Sequence, residues 1–174
     1  MDIQIVYPAE ITATIREEVQ ALCRVAYDED LDAYYASLTP TVQLLGRGDG
    51  QLVSHLMLVR RTLQPDGQAP LRTAYVELVA THPSAQRRGY ASRLLRASVA
   101  EMRDFDIGAL SPSDAEFYAR LGWERWTGPL AVRTARGLEE TPDEELMVLR
   151  LPHSPPTLDV SRRVSIEWRP GEVW

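Results

Sequence analysis

The residues best suited to chemistry fall in the stretch VELVATHPSAQRRGYASRLL. A strand-forming run ends at Pro83, and the turn QRRGYA, residues 86–91, leads directly into a helical pattern. A turn of this kind can hold an anion. Successive backbone N–H groups converge on one point, and the first helical turn carries unpaired donors and a partial positive charge. Gly89 lets the backbone approach a ligand closely, small Ala91 leaves the helix start open, and Arg87 and Arg88 add positive charge. A solvated basic turn has the same composition, and spacing alone does not separate the two. Glu77 is the second candidate, a carboxylate within the apolar run TAYVELVA. Such a group needs a partner or water. It is either a proton acceptor or an edge-strand residue facing solvent.

The elements that must position these residues are legible from periodicity. Residues 3–7 read as a strand, and Ile11, Ile15, Val19, Leu22 and Ala26 form one face of a helix, with Thr14 and Glu17 at capping-box spacing. DEDLDAYYASL continues as an acidic turn and a second short helix; a hairpin follows around the GDG turn, then a turn at QPDGQAP and a long strand from Leu71. A helix over 89–103 should bury Leu94, Leu95, Val99 and Met102. IGALS is a short buried strand, and a helix capped by Ser111 or Ser113 should end at Gly122. Later strands are expected at 129–134 and 145–151, then a Pro-rich connector and a last strand or ordered tail, VSIEWRPGEVW. A helix crossing between strands implies a parallel pair, so the expected fold class is α/β, one domain over 1–174 with a mixed central sheet flanked by helices. The tail, 152–174, is expected to pack back toward an acceptor site.

Composition narrows the function. The 174 residues carry 19 Lys+Arg against 25 Asp+Glu, a net charge of −6, which argues against a nucleic-acid surface and favours neutral or cationic partners. The lone cysteine, Cys23, forms no internal disulfide and suits a core position. His55, His82 and His153 lack metal-like spacing, so no metal is expected. No apolar run is long enough to span a membrane, and the acidic start is unlike a signal peptide; a cytoplasmic home is expected.

The Q-x-x-G-x-A turn after a strand ending in His-Pro resembles motif A of the GNAT acetyltransferases, whose loop holds the pyrophosphate of acetyl-CoA. SPSDAEFYARLGW is similar to a later motif of the same superfamily. IGALS, the Y-x-x-x-G-W helix, the TPDEE segment and the terminal EWRPGEVW resemble the aminoglycoside 2′-N-acetyltransferases in the same order. The likeness thins over the first third of the chain, where DEDLDAYYASLTPTVQ departs from that group's pattern.

The resemblance implies a site. Val79, Ala80, Thr81, Gln86, Arg87, Arg88, Gly89, Tyr90 and Ala91 would line acetyl-CoA, with the Val79 N–H as oxyanion donor. Glu77 would take the acceptor's proton, and Tyr118 would protonate the departing thiolate. Glu77, Leu78, Ser111, Asp143 and Glu144 match substrate-contacting positions, and Glu172 and Trp174 match the tail. Asp28, Glu29, Asp30 and Asp32, ahead of Tyr34 and Tyr35, are further candidates for a polycationic sugar. Trp168 and Trp174 suit either a cleft wall or a clamp on the tail. The implied activity is acetyl transfer to an aminoglycoside 2′-amine, such as that of kasugamycin, giving resistance, with a homodimer as a further expectation. Two alternatives stand beside it: acetylation of another small amine or a protein N-terminus, and a coenzyme A sensor without turnover.

Overall fold

The computed structural model describes all 174 residues. Ten strands and four α-helices follow in chain order: β1 (Asp2–Val6), α1 (Ala13–Tyr27), α2 (Asp32–Ser37), β2 (Pro40–Gly48), β3 (Gln51–Pro65), β4 (Leu71–Thr81), α3 (Tyr90–Ser98), β5 (Ile107–Leu110), α4 (Ala115–Ala119), β6 (Glu124–Arg125), β7 (Leu130–Thr134), β8 (Gly137–Glu140), β9 (Met147–Arg150) and β10 (Val164–Glu167). The class is α/β with a mixed sheet, as expected. The chain divides into two compact units, 1–59 with 76–101, and 60–75 with 102–174, so β3 and β4 each contribute residues to both.

In the first unit β1, β2 and β3 pair antiparallel. Asp49 and Gly50 join β2 to β3, both at positive φ (51° and 79°), the handedness a two-residue hairpin turn requires. Val6, Val19, Leu22, Cys23, Tyr35, Leu45, Met57 and Leu78 form the core. The cap of α1 is Thr12, whose Oγ1 accepts the Ile15 N–H at 3.2 Å, rather than the Thr14–Glu17 pair. The helix expected over 89–103 is α-helical only to Ser98 and tightens to a 3₁₀ turn over Val99–Met102. That tightening changes the angular step per residue, which leaves Val99 39% exposed while Met102 stays buried.

In the second unit the start of β4 runs parallel to β5, the pairing a crossover predicts. β9 lies antiparallel to both β5 and β6, while β10 pairs parallel with β7 and antiparallel with the end of β3; β8 closes a hairpin with β7. The core gathers Leu63, Tyr75, Ile107, Trp126, Leu130, Val148, Ile166 and Trp174. α4 is capped by Asp114, which accepts the Phe117 N–H at 3.0 Å, not by Ser111 or Ser113. Gly122, at φ 91°, ends the turn after it as expected. β6 and β8 escaped the sequence reading. One has two residues, and the other is exposed at all four positions, so neither shows alternation.

Candidate active site

The segment 77–79 of β4 belongs to the first unit and is not regular strand. Leu78 sits at φ 50°, a left-handed conformation that costs a branched residue on the order of 1–2 kcal/mol. One such residue changes the direction in which the neighbouring N–H and C=O groups point. Its surroundings hold it firmly. The Glu77 carboxylate is only 7% exposed and accepts the Tyr34 hydroxyl at 2.8 Å. The Tyr27 hydroxyl donates to the Val79 carbonyl at 3.1 Å, and His55 Nδ1 lies 2.9 Å from the Leu78 carbonyl oxygen. Glu77 is therefore a buried, hydrogen-bonded carboxylate and not a solvent-facing edge residue. Further along β4, the Ser54 hydroxyl donates to the Ala80 carbonyl at 3.0 Å and lies 2.9 Å from Thr81 Oγ1.

The turn after β4 is built for approach to the main chain. The Gln86 amide reaches back to the Thr81 carbonyl at 3.4 Å. Arg87 (φ 61°) and Gly89 (φ 74°) are both left-handed, and Gly89 is the residue before the first turn of α3. A Cβ on Gly89 would meet nothing within 4 Å, so its backbone conformation and not its packing calls for glycine. Residues 86–89 are exposed, with Tyr90 and Ala91 half-buried behind them. Open space, two arginines and a helix start without side-chain capping fit the diphosphate of a coenzyme.

In the second unit Tyr118 is buried on α4, edge-on to Phe117 (5.0 Å between ring centres) and Trp123 (6.3 Å). Burial pushes its phenol up to about 12, with the Asp114 charge adding to the rise and a Ser113 hydrogen bond opposing it. A cavity of about 620 Å³ in the same unit is lined by Glu140, Asp143, Glu144 and Glu145 beside Trp126, Thr141 and Pro142. Burial, then the fields of Glu172 and Asp143, raises the Glu144 carboxyl above its ordinary range. The tail ends in this neighbourhood: Trp174 is buried and its indole N–H donates to Thr141 Oγ1 at 2.9 Å. Trp174 thus fastens the tail, while Trp168 stays 57% exposed. Arg61, unremarked in the sequence, is the clamp. It donates to Glu167 Oε1 (2.6 Å) and to the carbonyls of Glu167 (2.7 Å) and Val173 (2.9 Å).

Other candidates have plainer roles in the first unit. Asp30 is exposed and its Oδ1 accepts the Asp32 N–H at 3.0 Å where α2 begins, and Asp32 pairs with Arg24. Asp28 and Glu29 are exposed, as is Ser111 after β5 of the second unit. Cys23 is buried, its thiol pushed up to about 12 chiefly by desolvation, as a core cysteine should be.

Comparison with known proteins identifies the family. Residues 11–126 match the family described as Acetyltransferase (GNAT) domain, and the chain belongs to that family. It is accordingly an N-acetyltransferase with acetyl-CoA as donor. A curated relative from Mycolicibacterium fortuitum, named aminoglycoside 2′-N-acetyltransferase, is 29% identical over 98% of this chain and 91% of its own. A GNAT family N-acetyltransferase from Escherichia coli, solved in complex with CoA, shares the fold with a TM-score of 0.66 at 16% identity, covering 97% of this chain and 89% of that one. Eis1 from Mycobacterium abscessus has a TM-score of 0.61 at 20% identity, over 71% of this chain; the present chain spans 31% of Eis1, about a third of its length.

Proposed function

We propose that the chain transfers acetyl from acetyl-CoA to the 2′-amine of an aminoglycoside, an activity that confers resistance to the drug. The observation that carries this reading is the buried Glu77 carboxylate, held by Tyr34 beside the left-handed residue of β4. Main-chain N–H groups of residues 86–91 and the guanidinium groups of Arg87 and Arg88 hold the coenzyme phosphates. Val79, Ala80 and Thr81 run beside its pantetheine arm. The acceptor nitrogen attacks the thioester carbon, its proton passes to Glu77 directly or through water, and the carbon–sulfur bond breaks. The Val79 N–H faces the developing oxyanion; one such donor contributes about 2.7–4 kcal/mol.

Tyr118 acts on the leaving sulfur. A phenol held near 12 does not yield its proton fully to a thiolate whose acid lies near ~8.5, so it lends a hydrogen bond as the sulfur departs. The sulfur takes its proton from water on release. Asp143, Glu144 and Glu172 receive the acceptor's ammonium groups, and Leu78, Ser111 and Trp174 are further acceptor contacts. Burial first, then repulsion from Glu172 and Asp143, raises Glu144, and a bound cation would relieve the repulsion. The named relative from Mycolicibacterium fortuitum supports the same substrate class.

Following free thiol on mixing the protein with acetyl-CoA and a panel of aminoglycosides tests the proposal. Release should require a drug bearing a 2′-amine. Release with other amines or an N-terminal peptide alone would demote the aminoglycoside, and coenzyme binding without release on any amine would favour a sensor.

A further inference from the structure

Tyr35, Gln43 and His55 are 4%, 0% and 0% exposed, three polar side chains inside the first unit's core. Burying them costs free energy unless every polar atom is paired. They form a line: Tyr35 hydroxyl to the Gln43 amide (3.0 Å), Gln43 amide to His55 Nε2 (3.0 Å), and His55 Nδ1 to the Leu78 carbonyl oxygen (2.9 Å). We infer that these residues position the reacting strand, a relay whose last link fastens the one mid-strand carbonyl in a left-handed residue and so fixes the groups on either side, Glu77 and Val79.

Proton counting gives the relay a direction. The Leu78 carbonyl can only accept, so His55 Nδ1 carries a hydrogen. Burial pushes His55 down to about 4, so the ring is neutral near pH 7 and its Nε2 must accept. Gln43 therefore turns its NH2 toward His55 and its carbonyl toward Tyr35, the amide O and N being interchangeable in shape. The Tyr35 hydroxyl donates to that carbonyl. Every link then has one donor and one acceptor. Two further contacts grip the residues on either side of Leu78: Tyr34 on α2 holds the Glu77 carboxylate and Tyr27 at the end of α1 the Val79 carbonyl. Apolar side chains could fill this space without a desolvation cost. A directed relay ending on the strained residue does something they cannot, which is to specify where one carbonyl points.

The role assigned here rests on the acyl-transfer reading of Glu77 and Val79, and the test separates the two. Nitrogen-15 NMR of the full chain at pH 7 should find His55 protonated at Nδ1 and bare at Nε2. His55→Leu should lower kcat at least tenfold with the acetyl-CoA KM within twofold. His55→Asn, which keeps an N–H in the Nδ1 position, should regain most of the loss. An Nε2–H tautomer, or wild-type kcat in His55→Leu, overturns the inference. Should His55→Leu fail to fold, Tyr35→Phe cuts the far end of the relay, and an unchanged kcat there overturns it equally. Glu77→Gln run alongside isolates the parent reading: wild-type kcat in that variant sinks the base assignment and leaves the tautomer result standing.

Discussion

In the proposed reaction Glu77 is the residue on which the chemistry turns, and its environment suits a base. The Tyr34 hydroxyl donates to it, and a hydrogen bond to a carboxylate favours its charged form. Glu77→Gln should lower kcat by about 10²–10⁴-fold, most strongly at neutral pH and below, where the acceptor amine most needs to lose a proton. Tyr118→Phe should lower kcat about tenfold or more with the acceptor KM unmoved, because the hydrogen bond forms only as the sulfur acquires charge. His55 adds a pH effect on stability. Its folded pKa is depressed to about 4, so the unfolded chain binds the proton more readily. The stability is fully present above the unfolded value of roughly 6.5 and is lost as pH falls toward the folded one, of order 3 kcal/mol in all. Denaturant titrations from pH 7.5 to 4 should show that loss, and His55→Asn should flatten it. Glu77 stood out in the sequence because a carboxylate interrupts an apolar run. His55 did not, since its partners lie 12 and 23 residues away and nothing local marks them.

At the scale of elements, the turn into α3 was legible and the left-handed residue in β4 was not. Gly89 announces a positive φ through its residue type, and the structure has it at 74°. Leu78 carries no such signal, because the left-handed turn is imposed by tertiary hydrogen bonds against the preference of the residue. Gly89→Val sets that conformation against a β-branched side chain. Since a Cβ there meets no neighbour, the strain should appear as a distorted turn, with coenzyme affinity falling tenfold or more by calorimetry and little change in the rest of the core. The caps show the same division between local and non-local. Ser111, Ser113 and Asp114 are all good N-cap residues on sequence, and only the fold selects Asp114.

At the scale of the molecule, the proposed function gives acceptor selection to acidic charge and the tail. Glu140, Asp143, Glu144 and Glu145 line one cavity, with Arg125 paired to Glu145, and Glu172 adds its field at Glu144. Deleting 172–174 removes the buried Trp174 anchor and one carboxylate together. That should destabilise the chain by about 3–5 kcal/mol and raise the acceptor KM, with coenzyme affinity kept. Raising ionic strength should raise the acceptor KM more than the acetyl-CoA KM at moderate salt, as screened attraction to a polycation requires. The tail stood out in the sequence through its EWRPGEVW motif. The Arg61 clamp that holds it was not, since 106 residues separate Arg61 from Glu167.

The most direct test is a map of backbone amide shifts in nitrogen-15-labelled protein titrated with coenzyme A, beside the same titration with acetyl-pantetheine, which lacks the diphosphate. The largest changes specific to coenzyme A should fall on the amides of residues 86–91. Diphosphate-specific changes centred anywhere else in the chain, with these amides unmoved, would contradict the account.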